Sequence, residues 1–240
     1  MPSSEAPAKT GAAHSQTLSR GIRALEILAD AAAPMTITEL SAALGVHRSI
    51  AYRILRTLED HSLVMRDAAG RVQAAPGLAA LARGVSRDLQ SAALPELTSL
   101  ANSLDMTAFL AVWDQHDCVT LVTVEPRHSE ATLAQRPGSR HSFSAGAPGI
   151  AIQSALTEEQ WEQLAPGQPY RPESRAAAAL GYAVSHNEVI PGVSSVGAPI
   201  RVPGQLPAAI AVVYIRTEVD PDDIGRMLVR AAAGIEAELR

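Results

Sequence analysis

Three arginines lie close together in the segment VHRSIAYRILRTLED, residues 46–60. Consecutive residues of an α-helix are about 100° apart, so a helix here would bury a side that includes Ile50, Ile54 and Leu58. The other side would carry Arg48, Ser49, Tyr52, Arg53, Arg56 and Thr57. Guanidinium groups are permanently charged, forked donors, so this side could contact phosphates and base edges in a DNA groove. A solvated arginine face is the alternative, and the neighbouring elements must decide between the two.

The segments on both sides of this helix predict a winged helix-turn-helix. In TITELSAALG, Thr36 and Glu39 have the spacing of a capping box, which indicates a short helix followed by a tight turn. After the arginine helix, LVMRDAAGRVQ predicts two short strands joined at residues 67–70, a β-hairpin that would form a wing. Arg66 and Arg71 flank its tip, where they could reach phosphate or minor groove. Simple solvation of both side chains is the alternative.

The remaining segments predict helices around a sheet. A first helix is expected at about residues 17–30, before the helix-turn-helix. Apolar spacing predicts a linking helix from about Pro76, and Pro95 is expected to start a separate helix. Farther on, four apolar segments predict strands and four other segments predict helices, the last with acidic residues in its first turn.

Composition excludes several classes of protein. A hydrophobic content of 47% and a charged content of 19% over 240 residues describe a globular chain rather than a disordered one. The single cysteine, Cys118, excludes an internal disulfide and favours a cytoplasmic location. The sequence contains no apolar run of about 18 residues, so no membrane span is expected. The net charge of −5 divides into +2 over residues 1–85 and −7 over residues 86–240, which permits a DNA-binding N-terminal part without proving one.

Together these features resemble the IclR family of bacterial transcription regulators. TLSRGIRALEIL, MTITELSAALGVHRSIAYRILRTLEDHSLVMRD and GRVQAAPGLAALA are similar to its N-terminal winged helix, and GYAVSHNEVIPGVSSVGAPI is similar to its effector-domain signature. The resemblance implies an α+β chain with a winged helix-turn-helix, a linking helix and a C-terminal GAF-like α/β effector-binding domain. The expected segments are a disordered tail (1–15), the DNA-binding domain (16–76), the linking helix (77–94) and the effector-binding domain (95–240).

The resemblance also implies partners and contact residues. The partners would be a double-stranded DNA operator, a small effector and further copies of the chain, as a homodimer or tetramer. The DNA contacts would come from Thr36, His47, Arg48, Ser49, Tyr52, Arg53, Arg56, Arg66 and Arg71. Arg48 and Ser49 would lie at the N-terminal end of the recognition helix, where base edges come within reach.

The chain departs from the family at the effector positions. In the family an Asp, a Cys and two Ser hold small organic acids. Ser185 and Ser195 stand at the Asp and Cys positions here, with Ala211 and Val213 at those of the two Ser. These departures remove charge or polarity, so we expect an apolar or aromatic effector. The predicted effector contacts are Met106, Leu110, Gly149, Ser185, Ser195, Ala211 and Val213. Plain core packing in a domain that binds no small molecule is the alternative.

Other chemistry finds little support in the sequence. The residues His116, Cys118, His128 and His141 could form a zinc site, but their spacing matches no strong metal motif. No nucleophile has a base at catalytic spacing, so we expect neither an enzyme nor a cofactor. A sensor or protein-interaction module that no longer reads DNA remains the main alternative function, and the retained arginines argue against it.

Overall fold

The structure is a computed structural model that describes residues 15–115, 117–127, 135–215 and 219–240. It divides into two compact units, residues 1–85 and residues 86–240, and each unit has its own core. Most of the predicted disordered tail, residues 1–14, lies outside the described residues. Within the described ranges, no helix is both long enough and apolar enough to cross a membrane.

The N-terminal unit is a winged helix-turn-helix, as predicted. Its elements are α1 (Gln16–Asp30), α2 (Ile37–Ala43), α3 (Arg48–Asp60), β1 (Val64–Arg66), β2 (Val72–Ala74) and α4 (Gly77–Ala82). The antiparallel pair β1–β2 is the wing. Helices α1, α2 and α3 close over a small core that includes Leu28, Leu40 and Leu55, and Val64 and Val72 join it from the wing. This core leaves the polar side of α3 facing solvent.

Local hydrogen bonds determine where α2 begins. Thr36 Oγ1 accepts the Glu39 N–H, and Glu39 Oε2 accepts the Thr36 N–H at 2.7 Å, which completes the predicted capping box. A cap of this kind stabilises a helix by about 1 kcal/mol. Met35, the preceding residue, exchanges two backbone hydrogen bonds with Val72, so the start of α2 is tied to the wing.

The C-terminal unit is a six-stranded antiparallel sheet with helices on both faces. Its elements are α5 (Arg87–Leu104), β3 (Thr107–Asp114), β4 (Asp117–Val124), β5 (Arg140–Ser142), α6 (Ala147–Ser154), α7 (Glu158–Leu164), α8 (Pro172–Leu180), β6 (Ala183–His186), β7 (Ser194–Ile200), β8 (Ala208–Tyr214) and α9 (Pro221–Glu238). The strand order is β5–β4–β3–β8–β7–β6. In the centre, β3 pairs with β8 from Thr107–Val213 to Val112–Ala208.

The two faces of the sheet have separate cores. Helices α5 and α9 pack on one face, where Ala108, Leu110 and Val112 of β3 point. Helix α6 packs on the other face, where Phe109 and Trp113 point. Residues alternate between faces along a strand, so each position of β3 contributes to only one of these cores.

The prediction of the linking helix is wrong about where that helix ends and where the next one begins. One helix was expected to run to residue 94 and a new one to start at Pro95. The structure instead ends α4 at Ala82, and α5 begins at Arg87 after Ser86, which has a left-handed φ of 46°. Pro95 lies inside α5. A proline there removes one backbone hydrogen bond. Buried residues on both sides of it, among them Leu89 and Leu97, hold the helix against the core.

Candidate functional site

Helix α3 presents the predicted polar side to solvent. Its inner side is buried through Ala51, Ile54, Leu55 and Leu58, and these contacts fix the orientation of the helix. The exposed residues are His47, Arg48, Ser49, Tyr52, Arg53, Arg56 and Thr57. Among the residues that the structure describes, none forms an ion pair with Arg48, Arg53 or Arg56. Their charges are therefore available to an external anion.

His47 caps the N-terminus of α3. Its Nδ1 accepts the Ser49 N–H at 3.4 Å and lies 2.9 Å from Ser49 Oγ. The cap thus holds His47 and Ser49 side by side at the end of α3 predicted to enter a groove.

Thr36, another of the predicted DNA contacts, has a structural role, and Arg53 lies beside α1. The Thr36 hydroxyl is engaged in the capping box and donates to Glu39 Oε2 at 2.9 Å. Arg53 lines a groove between α1 and α3, together with Ile50 and Thr57. Arg53 therefore lies on the flank of the polar side rather than at its centre.

The two wing arginines are paired with acids. Arg66 Nε donates to Glu59 Oε1 at 2.5 Å, and Arg71 Nε donates to Asp67 Oδ2 at 3.1 Å. The backbone N–H of Arg71 is the main cause of a lowered pKa for Asp67, and it outweighs the opposing effect of burial. The wing consequently carries less free positive charge than the polar side of α3 does.

A cavity of about 50 Å³ lies in the C-terminal unit, on the α6 face of the sheet. It is bounded by the start of α6 and by the turn between β6 and β7. Its lining residues are Phe109, Gln135, His141, Gly146, Pro148, Ser185, Glu188, Val189, Ile190, Val193, Ser195 and Val213. This mixture of apolar walls and a few converging polar groups is found in small-molecule sites, although those usually measure about 300–1,000 Å³.

Three of the seven predicted effector residues line this cavity. Ser185 and Ser195 are directly opposite each other on β6 and β7, and Val213 faces them from β8. Ser185 Oγ accepts the Ala147 N–H at 2.9 Å, which leaves its own hydroxyl proton to donate. Ser195 Oγ donates to the Val212 carbonyl at 2.9 Å, which leaves its lone pairs to accept.

The other four residues lie elsewhere. Met106 and Leu110 belong to the core on the α5 face, so the structure corrects their predicted place in the cavity. Ala211 is fully buried on the cavity face of the sheet but does not line the cavity. A Cβ at Gly149 would lie 2.2 Å from the Phe143 carbonyl oxygen, so this glycine allows α6 to pack closely on backbone.

Sequence reasoning missed nine of the lining residues, including Phe109, His141 and Glu188. Phe109 is the neighbour of Leu110 on β3, and successive side chains of a strand point to opposite faces of the sheet. Assigning Leu110 to the α5 face would therefore have placed Phe109 on the cavity face. His141 Nε2 is buried and finds no hydrogen-bond partner among the described residues. Burial lowers the pKa of His141, although Asp117 acts in the opposite direction, so the ring is uncharged at neutral pH.

A zinc site finds no support in the described part of the chain. No group of three or more histidines, cysteines and acids there is arranged to hold a metal ion. Two of the four residues considered as zinc ligands, His116 and His128, lie outside the described residues. Cys118 is buried in β4, and burial, with a smaller effect of Asp117, raises the pKa of its thiol to about 12.

Two family models match this chain. The IclR helix-turn-helix domain matches residues 17–68, and the bacterial transcriptional regulator IclR C-terminal domain matches residues 82–235. The chain belongs to the IclR family. The resemblance inferred from the sequence is confirmed, and it accounts for both units of the structure. Members of this family are transcriptional regulators rather than enzymes.

Curated relatives of this IclR-family chain include named repressors. It is 29% identical over 154 residues to the acetate operon repressor of Salmonella typhimurium, a match that covers 62% of this chain and only 56% of that protein. It is 28% identical over 202 residues to the HTH-type transcriptional regulator Rv1719 of Mycobacterium tuberculosis, with 78% and 77% of the two chains covered.

Solved structures of IclR-family proteins share the fold. An IclR transcriptional regulator from Alicyclobacillus acidocaldarius is 24% identical, with 95% of this chain and 100% of that chain covered and a TM-score of 0.79. An IclR homologue from Microbacterium hydrocarbonoxydans, solved in complex with 4-hydroxybenzoate, is 22% identical, with 94% and 99% covered and a TM-score of 0.79. At these identities the likeness establishes the fold alone.

Proposed function

We propose that this IclR-family chain is a ligand-responsive, sequence-specific DNA-binding transcription regulator that acts as a repressor. The observation that carries the proposal is the exposed polar side of α3, on which three arginines have no acidic partner among the described residues. A helix that only packs on its own core has no need of such a side. The named repressors among its relatives support the sign of regulation.

The expected docking places α3 in the major groove. Arg48 and Ser49, at its N-terminal end, would read base edges, while Tyr52 and Arg56 would hold the backbone or neighbouring bases. One recognition helix reads only a few base pairs. Two copies of the chain, related by symmetry, would read two half-sites about one helical turn apart, so we propose a homodimer or a tetramer as the binding form.

The cavity in the C-terminal unit is the proposed effector site. Phe109, Val193 and Val213 supply apolar walls, and Ser185 and Ser195 supply polar contacts, which suits an apolar or aromatic molecule with a small polar group. The related structure that contains 4-hydroxybenzoate supports an aromatic ring in the ligand, whereas the carboxylate of that molecule finds no positively charged group among the residues that line this cavity. A benzene ring fills a cavity of about 150 Å³. A ring-sized effector would therefore require this cavity to widen, which couples binding to a conformational change.

The test is fluorescence anisotropy on DNA from upstream of the protein's own gene, at about physiological salt with excess competitor DNA. We expect Arg48→Ala/Arg56→Ala to weaken specific binding by about 2 kcal/mol or more, roughly 30-fold. The matched control is Arg23→Ala/Arg175→Ala, which removes the same charge from two exposed ion pairs. That control should bind as the wild type does, since exposed pairs contribute little.

The same experiment separates the main alternative. Weak, competitor-sensitive binding that is equal in the wild type and both double variants would contradict DNA reading by α3. It would favour a sensor or protein-interaction module. Salt dependence provides a second criterion, because phosphate contacts make the affinity fall steeply as salt is raised.

A further inference from the structure

One wall of the cavity carries a carboxylate that is already held by the protein. Glu188, on the turn between β6 and β7, forms a forked pair with Arg171 at the start of α8. Arg171 Nη1 lies 3.1 Å from Glu188 Oε2, and Nη2 lies 3.2 Å from Oε1. Glu188 Oε2 also accepts the Gly146 N–H at 2.8 Å. Both oxygens therefore have strong, charge-assisted partners.

The guanidinium that holds Glu188 is itself fixed. Arg171 Nη1 also donates to the Ser144 carbonyl at 2.7 Å, and the Arg171 N–H donates to Gln153 Oε1 at 2.8 Å. Only 16% of the Arg171 side chain is exposed, compared with 29% of the Glu188 side chain. Arg171 and the Gly146 N–H thus form a preorganised site for one carboxylate group at the edge of the cavity.

The charge state of Glu188 follows from these partners. Burial raises its pKa, but the hydrogen bonds from Arg171 and the Gly146 N–H outweigh burial, and the pKa lies below its ordinary value. Glu188 is therefore negative at neutral pH. The cavity-lining residues His141, Gln135, Ser185 and Ser195 are uncharged or neutral polar groups. None of them supplies a positive charge for a second anion.

We propose that Glu188 is a built-in occupant of the carboxylate site formed by Arg171 and the Gly146 N–H, so that the cavity accepts an uncharged, hydroxyl-bearing ligand and rejects free carboxylates. A carboxylate ligand would have to displace Glu188 from two strong partners or lie beside it unpaired. A hydroxyl group can instead bond to His141 Nε2, one of the buried polar atoms that find no partner among the described residues. This inference rests on the proposed function in one respect: it takes this cavity as the site where the ligand binds.

The first test replaces the occupant with a free ion. Glu188→Ala removes a CH2–COO⁻ group, for which acetate is the matching small molecule. We expect acetate to raise the melting temperature of Glu188→Ala and to restore the wild-type Gly146 amide resonance, with equal ionic strength in chloride as the reference. Acetamide, which has the same shape without charge, should do neither. The wild type should show no acetate-specific effect, because its site is filled.

Glu173→Ala is the matched control variant. Glu173 also pairs with Arg171, at 3.3 Å, but its side chain is 53% exposed, and no bond joins it to Gly146. Acetate should not stabilise this variant specifically, and Arg171→Ala/Glu188→Ala should lose the rescue. Equal acetate effects in the wild type and in Glu188→Ala would overturn the proposal. If Glu188→Ala does not fold, Glu188→Ser also vacates the site; acetate should move its Gly146 resonance more than that of the wild type, and equal shifts would overturn the proposal.

The second test addresses the ligand class in the wild type. Benzyl alcohol and benzoate differ mainly in the charge of the polar group, and binding can be followed by the fluorescence of Trp113 and Trp161, which pack with Phe143. We expect the alcohol to bind at least about tenfold more tightly than the acid. His141→Phe should weaken the alcohol selectively. Tighter binding of benzoate, or no binding of benzyl alcohol, would overturn the ligand class.

The two proposals fail in different ways. Loss of specific operator binding, with the acetate and alcohol results intact, would contradict the regulator and leave the ligand class standing. Operator release by benzoate, with benzoate bound by the wild type, would confirm a ligand-responsive regulator and overturn the role given to Glu188.

Discussion

At the scale of single residues, the arginines of the N-terminal unit differ in what they are free to contact. Arg48 and Arg56 are exposed and have no acidic partner among the described residues, whereas Arg66 and Arg71 are each held by a carboxylate. Arg53 is also exposed and has no acidic partner among the described residues, but it lines the groove beside α1. The type of residue is the same in all five cases, and the surroundings decide which charge can be used.

We predict that Arg56→Ala weakens operator binding by about 1–3 kcal/mol, as expected for loss of a base or phosphate contact in the groove. Arg53→Ala should cost less than about 1 kcal/mol, since its side chain lies on the flank of α3. Anisotropy titrations of the two single variants on the same DNA provide the comparison. An equal loss in both would place Arg53 at the centre of the interface and contradict this assignment.

At the scale of elements, two helical glycines have opposite surroundings. Gly149 in α6 has the Phe143 carbonyl oxygen 2.2 Å from where a Cβ would lie, and Gly21 in α1 has nothing within 4 Å of that position. Gly149→Ala should lower the free energy of unfolding by about 1–3 kcal/mol, because backbone must shift. Gly21→Ala should raise it by up to about 1 kcal/mol through helix propensity. Urea unfolding of both variants measures the contrast, and a neutral Gly149→Ala would be inconsistent with close packing of α6.

The wing is an element whose charge is set by an acid of α3. Glu59→Gln would release Arg66 from its partner and leave one more positive charge free near the wing. We expect tighter non-specific DNA binding and a salt-dependence slope steeper by about 1, the effect of one additional phosphate contact. Glu26→Gln, which releases Arg23 on α1, is the control with the same change in charge. Equal effects of the two variants would show that net charge alone, rather than the wing, matters.

Elements with strong local signals were predictable, and those set by distant contacts were not. The capping box at Thr36 and the apolar stripe of α3 depend on residues a few positions apart, and both were found. The continuity of α5 through Pro95 depends on burial against the sheet, which no local pattern encodes. The cavity draws His141 and Glu188 from β5 and from a turn. Their proximity follows from the strand order, so single-sequence patterns identified only Ser185, Ser195 and Val213 among its lining.

At the scale of the whole molecule, stability in acid should depend on Glu188. Its pKa is lowered from an ordinary value near 4.5, so the stability from the Arg171 pair is fully present above that value and is lost as the pH falls through the lowered pKa. The difference in unfolding free energy between the wild type and Glu188→Gln should be constant near neutral pH and should shrink below about pH 4.5. Urea unfolding across this range measures it. A difference that persists in full at about pH 3 would mean that charge is not what Glu188 contributes.

The pairing of β3 with β8 has a consequence for how the chain folds during its synthesis. The two strands are central neighbours in the sheet, yet about 100 residues separate Thr107 from its partner Val213. The larger unit cannot close its sheet until the ribosome has made residues 208–214, and until then β3 lacks one of its two neighbours. The core of the winged helix-turn-helix is formed by residues between Ala24 and Val72. The N-terminal unit can therefore fold on the ribosome while the C-terminal unit is still being translated.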